Sequence, residues 1–207
     1  MKAHTAESQA TVTPDKALKF LKEGNNRFIN NLKINRNLLE QVNDTREGQW
    51  PFAIVLSCID SRTSAELVFD QGLGDIFSVR IAGNILNEDI LGSMEFATKV
   101  VGSRIIVVLG HSKCGAVKGA CDHIEMGNLT TLLNKIQPAV YEEKSTTENR
   151  TSKNAEFVEK VASLNVRLTI ERIRRESVII RDLEESGAIK IVGGMYDVDS
   201  GKVDFYE

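Results

Sequence analysis

Cys58, Asp60 and Arg62 stand within five residues of one another, and His111 and Cys114 are separated by two. Thiolate and imidazole together suit Zn²⁺ far better than Mg²⁺ or Ca²⁺, which favour oxygen. Three protein ligands with a fourth position left for water make a catalytic zinc site, whereas four make a closed, structural one. Cys58, His111 and Cys114 supply three. Asp60 is then either a fourth ligand or a group that leaves that position open. Arg62 bears on the choice, because its planar guanidinium can hold a carboxylate through two parallel hydrogen bonds. The arrangement expected is Asp60 held by Arg62, with the metal free to carry water or hydroxide.

Each motif alone is a weak signal, and position strengthens the pair. Phe52-Ala53-Ile54-Val55-Leu56 precedes the first motif and Arg104-Ile105-Ile106-Val107-Val108-Leu109 precedes the second. Both runs read as buried strands. In open α/β sheets, ligands bind outside the carboxyl ends of the strands, where strand order reverses. Two such strands would therefore deliver the metal-competent side chains to one place. A nucleophilic cysteine with a histidine base is a rival chemistry, but it leaves the second motif cysteine and the Asp60–Arg62 pair without roles. The bland alternative is a small α/β domain whose cysteines fill the core.

A chain of 207 residues implies one compact domain, and 42% hydrophobic residues suffice for a full core. The net charge of -3 gives no basic excess to suggest nucleic acid. No apolar stretch approaches the roughly 18 residues of a membrane span, and the start carries no secretory signal. Of three cysteines, two lie in the metal motifs, which points to a reducing, cytoplasmic setting.

Along the chain, residues 1–12 are polar and expected to be loose. Thr13-Pro14 opens a helix as cap and first residue, and Gly24-Asn25-Asn26 is its weak point. Residues 13–48 form a helical arm expected to pack on a partner subunit. The zinc-binding α/β core is expected over 49–207. Gln49 sits just before the first strand. Ile76–Arg80 is a second strand, Ala82-Gly83-Asn84 a tight loop, and 89–101 a helix. A helix over 115–126 starts at the metal, so its dipole favours a thiolate at Cys114. Cys121 lies about 10 Å further along that helix and reads as a buried free thiol, and His123 as a core or surface residue. Helices are expected at 129–141, 155–174 and 177–186, with 142–152 an exposed turn. Residues 189–193 form a fourth strand, and a hairpin turns at Ser200-Gly201.

Cys58-x-Asp60-Ser61-Arg62 with Gly110-His111-x-x-Cys114-Gly115 resembles the β-class carbonic anhydrases. The resemblance continues through Gly74-Asp75-Ile76-Phe77, Arg80, Ala82-Gly83-Asn84, Glu95 and Gly194-x-Tyr196-Asp197-x-x-x-Gly201, and spans roughly residues 14–205. It implies a mostly parallel sheet of order 2-1-3-4 with an extra edge strand, flanked by helices. It implies one Zn²⁺ per chain on Cys58, His111 and Cys114, with Asp60 and Arg62 as the catalytic pair. It places Gln49, Phe77 and Gly115 in the substrate pocket, with Gln49 reaching across a dimer interface. A frequent pocket tyrosine of the family is Phe96 here. It implies a homodimer or a dimer of dimers. Members with a closed state, in which the aspartate binds zinc, carry tryptophan three residues before the first zinc cysteine. That position is Val55, so the open type is expected at neutral pH.

The reaction so implied is reversible hydration of CO₂ to bicarbonate and a proton, a hydro-lyase activity. Zinc hydroxide is the expected nucleophile, oriented by Asp60, with Arg62 keeping Asp60 ionised and turned from the metal. The alternatives are a hydrolase for CS₂ or COS on the same scaffold, and a non-catalytic zinc- or bicarbonate-binding protein.

Overall fold

The computed structural model describes residues 3–206. The chain runs α1 (Ala6–Ala10), α2 (Pro14–Ile29), α3 (Leu38–Thr45), β1 (Ala53–Ser57), α4 (Ala65–Val68), β2 (Ile76–Arg80), α5 (Glu88–Glu95), β3 (Ile105–His111), α6 (Gly115–Cys121), α7 (Gly127–Leu133), α8 (Gln137–Glu142), α9 (Ala155–Glu176), α10 (Val178–Glu185), β4 (Lys190–Tyr196) and β5 (Val203–Tyr206). Among the described residues, five strands form one sheet of order β2-β1-β3-β4-β5. The first four are parallel and β5 pairs antiparallel with β4. This is the expected architecture.

β1 and β3 are buried along their whole length. Side chains alternate between the two faces of a strand, so both faces need cover and the sequence reads as an unbroken apolar run. Ala53, Val55, Ile105, Val107 and Leu109 face a layer built by α2 and α4, with Ala17, Leu18, Leu21, Ala65, Val68 and Phe69. Ile54, Leu56, Ile106 and Val108 face α5, α9 and α10, through Ile90, Met94, Val166, Ile170, Ile173 and Ile180. A third cluster, with Phe157, Val158, Val161, Ile136 and Val140, packs around Cys58 and Cys114.

Several expectations are corrected. Residues 3–12 are not loose: Thr5 caps α1, Gln9 donates to the carbonyls of Pro51 and Val101, and Val12 joins the core. The part of that expectation at residues 1 and 2, and the domain's last residue at 207, lie outside the described residues. α2 buries Ala17, Leu18 and Leu21 against its own sheet. It runs unbroken through Gly24, a position that admits only glycine because a Cβ there would lie 1.8 Å from the Phe69 carbonyl oxygen. Asn25, buried beside it, donates to Val68 O and Gly201 O and accepts from Val203 N–H. α3, by contrast, leaves Leu38, Leu39 and Val42 exposed. α6 ends at Cys121, short of 126, and 129–141 divides into α7 and α8. Pro138 stands in the first turn of α8, where a missing N–H costs nothing. The 142–152 segment is anchored: Glu143 is buried and pairs with Arg150, which also donates to Val140 O and Thr146 O.

Candidate metal centre

β1 and β3 are neighbours in register, with Ser57 beside Leu109. β2 lies on one side of β1 and β3 on the other, so strand order reverses between β1 and β3. Cys58 follows the last residue of β1, His111 ends β3, and Cys114 caps α6. Their ligand atoms all lie within 4.8 Å of one another, and all three residues are buried. Gly110 lets β3 reach the site. A Cβ on it would lie 2.6 Å from Met195 Sδ and 2.7 Å from a Val166 methyl.

The set fits a zinc ion. His111 Nδ1 lies 2.9 Å from the carbonyl of Ser112. A carbonyl only accepts, so the proton sits on Nδ1 and Nε2 presents its lone pair. That Nε2 is buried without a hydrogen-bond partner in the protein, so its lone pair is available to a metal. Cys58 Sγ accepts from Gly83 N–H at 3.3 Å, a bond that favours thiolate. The thiol of Cys58 is held well below the usual range, first by the hydrogen bond from Cys114 and also by that from Gly83 N–H, against its burial. Cys114 is pushed up by the same bond with Cys58 and by burial. The N–H groups of Ala116 and Val117 do favour the anion at Cys114, as the helix dipole suggested, but they do not prevail. The pair thus holds one thiolate that accepts from the neighbouring thiol, and a divalent cation bound by both sulfurs would take the place of that proton.

Asp60 is turned away from this set. Arg62 donates from Nε to Oδ1 at 2.9 Å and from a terminal nitrogen to Oδ2 at 2.8 Å, and its backbone N–H reaches Oδ1 at 3.0 Å. These bonds hold the Asp60 carboxyl far below the usual carboxylate range. Two further residues fix the loop. Arg80 donates to the carbonyls of Cys58 and Asp60, and Thr63 Oγ1, buried, donates to the same two. Thr63 gave no signal in the sequence, since a threonine after such a motif reads as an ordinary helix start.

Gln49 and Phe77 are not brought to the set within one chain. Gln49 is exposed. Phe77 pairs with Ile54, four residues before Cys58 and so about 13 Å back along the sheet. With Phe96, whose ring centroid is 6.4 Å away, it lines a 650 Å³ cavity at the free edge of β2. Gly115 is exposed beside Cys114, and a Cβ there would meet nothing within 4 Å. Cys121 is a buried free thiol, pushed up to about 11 by burial, and lies outside the ligand group. His123 is exposed, its ring 6.3 Å from that of Tyr141.

Residues 53–203 match a family described as carbonic anhydrase. A Mycobacterium tuberculosis protein named carbonic anhydrase 2 is 34% identical over 91% of each chain. A Mycolicibacterium smegmatis carbonic anhydrase is 32% identical over 92% of each. Among solved structures, a β-carbonic anhydrase of Sordaria macrospora, described as tetrameric, superposes with a TM-score of 0.70 at 26% identity. The match covers 77% of this chain and 82% of that one.

Proposed function

The chain belongs to the β-carbonic anhydrase family, and on that premise we propose that it hydrates CO₂ reversibly to bicarbonate and a proton, with one zinc ion on Cys58, His111 and Cys114. The observation that supports this most is Asp60, bound on both oxygens by Arg62 and outside the three-ligand group. A purely structural zinc site has no use for such a pair and would take a fourth protein ligand.

When bound, zinc supplies Lewis acidity and lowers the pKa of water from about 15.7 toward about 7. Asp60, ionised at any neutral pH, accepts a hydrogen bond from the attacking water and aims its lone pair at the CO₂ carbon. Arg62 keeps Asp60 ionised and fixed in rotation. Arg80 and Thr63 hold the backbone that carries Asp60, so its position does not depend on the Arg62 contact alone. The buried walls from Phe157, Val161 and Ile136 limit water around the ligands, which strengthens the local charge interactions.

The pocket is completed by a second copy in this reading. Gln49 and Phe96 are exposed in one chain and Phe77 is half-buried, and none of them lines the metal set, while α3 exposes Leu38, Leu39 and Val42. Pairing of two copies through these surfaces would put Gln49 of one chain within reach of a CO₂ or bicarbonate oxygen at the other's metal.

Removal of zinc with a chelator, followed by back-titration, tests the reading. CO₂ hydration should vanish and return in step with one zinc per chain. Fully loaded protein that ignores CO₂ but hydrolyses CS₂ or COS would replace this substrate assignment, and loaded protein inert to all three would leave a binding role.

A further inference from the structure

One peptide unit links the histidine ligand to a carboxylate on another helix. The carbonyl of Ser112 accepts from His111 Nδ1 at 2.9 Å. The N–H of the same peptide, on Lys113, donates to Glu159 Oε1 at 2.7 Å. Glu159 comes from α9, 46 positions further along the chain. The connection is therefore a line of two hydrogen bonds through one amide: imidazole N–H to carbonyl, amide N–H to carboxylate.

The backbone here is held in an unfavourable shape. Lys113 has φ of 58°, a left-handed conformation that costs a non-glycine residue free energy and persists only where its surroundings impose it. Glu159 is one such restraint. Asp199 is another, binding Lys113 Nζ at 2.6 Å through both oxygens. Ser112 is tied separately, by its N–H to Tyr196 O and by its Oγ to Val198 N–H.

We propose that Glu159 is a positioning residue for the metal centre, acting on His111 through the Ser112–Lys113 peptide. Metal-bound histidines commonly give their second N–H to a carboxylate or a backbone carbonyl, which fixes the tautomer and raises the basicity of the ligating nitrogen. Here both are used in series. A charge-assisted bond to the amide N–H draws electron density toward the carbonyl oxygen. That oxygen becomes the stronger acceptor for Nδ1–H, and Nε2 the better donor to a metal. Glu159 touches neither metal nor substrate in this scheme. The inference rests on the zinc site proposed above.

Metal affinity and cobalt spectra of the full-length protein separate the possibilities. Zinc would be competed against a chelator, and Co²⁺ substituted for zinc to read the d–d bands of the site, in wild type, Glu159→Ala, Glu159→Gln and Asp199→Ala. Glu159→Ala should weaken zinc about 10- to 100-fold and shift the cobalt bands, with an unfolding temperature for the metal-free form close to wild type. Glu159→Gln keeps an acceptor oxygen without the charge and should recover part of the affinity. Asp199→Ala releases the lysine side chain without touching the peptide and should leave the bands unmoved. Wild-type affinity and bands in Glu159→Ala would overturn the proposal while leaving the zinc site intact. Equal losses in Asp199→Ala would overturn it too, since they would mean general loop anchoring. A wild-type protein that takes up neither metal would defeat the zinc site itself.

Discussion

Asp60 and Cys58 are two residues apart, yet only one of them faces the metal set, and the difference lies in what each can bond. The Asp60 carboxylate has three donors from Arg62, while Cys58 Sγ has Gly83 N–H and its two buried neighbours. Arg62→Ala is expected to retain one zinc per chain and lose most turnover, on the order of 10²-fold, measured as CO₂ hydration at matched zinc content. Near-normal rates there would remove Asp60 and Arg62 from the mechanism. The sign of the pH effect follows from the direction of the shift. A carboxyl whose folded pKa lies below its unfolded value contributes stability that is complete above about pH 3.9 and is lost as the pH falls through the folded value. Asp60 is therefore ionised across the neutral range and adds no slope to the rate there. Cys121→Ser should keep zinc and activity, because that thiol lies outside the ligand group. It should cost about 1–3 kcal/mol in denaturant unfolding, because a hydroxyl replaces a thiol in an apolar cluster. Stoichiometric loss of zinc would mean the ligand set is wrong.

At the level of elements, the site is held by places where the chain could not carry a side chain or could not turn otherwise. Gly83 has φ of 67°, its N–H reaches Cys58, and a Cβ on it would lie 2.5 Å from Ile136 Cδ1. Gly83→Ala should destabilise by about 1–3 kcal/mol and loosen zinc retention, read by thermal unfolding and metal analysis on the same sample. An unchanged unfolding temperature would show that the turn adapts freely. The metal-bearing strands were legible because β1 and β3 are apolar on both faces and end in motifs of unusual chemistry, and the order of the sheet came from the family resemblance that those motifs carry. The anchoring was not. Thr63, Glu159 and the Glu143–Arg150 pair act through contacts between segments far apart in sequence, or through backbone carbonyls that no side-chain pattern announces. The start of the chain misled for a related reason: α1 is polar because Gln9 bonds buried carbonyls, and polarity alone reads as a loose end. The long helix expected at 129–141 hid its break, since its apolar spacing continues on both sides of Pro138.

For the molecule as a whole, one chain builds the metal set but leaves Gln49, Phe77 and Phe96 away from it. On the proposed pairing, Leu38, Leu39 and Val42 on α3 are covered by another copy, so Leu39→Asp should lower the mass in sedimentation and depress turnover while zinc content holds. A dimer of undiminished stability would place the interface elsewhere. Among the described residues no helix is long and apolar enough to cross a membrane. On the proposed mechanism, a zinc-activated water, aimed by an Asp60 that stays off the metal, attacks CO₂. The most direct test is stopped-flow CO₂ hydration, on protein of known zinc content, from about pH 6.5 to about pH 9, a range that spans the expected pKa of the activated water. Turnover should already be present at the acidic end and rise smoothly as that water ionises. Turnover confined to the alkaline end would mean Asp60 closes the site at neutral pH, and no turnover at one zinc per chain would rule out CO₂ hydration at this centre.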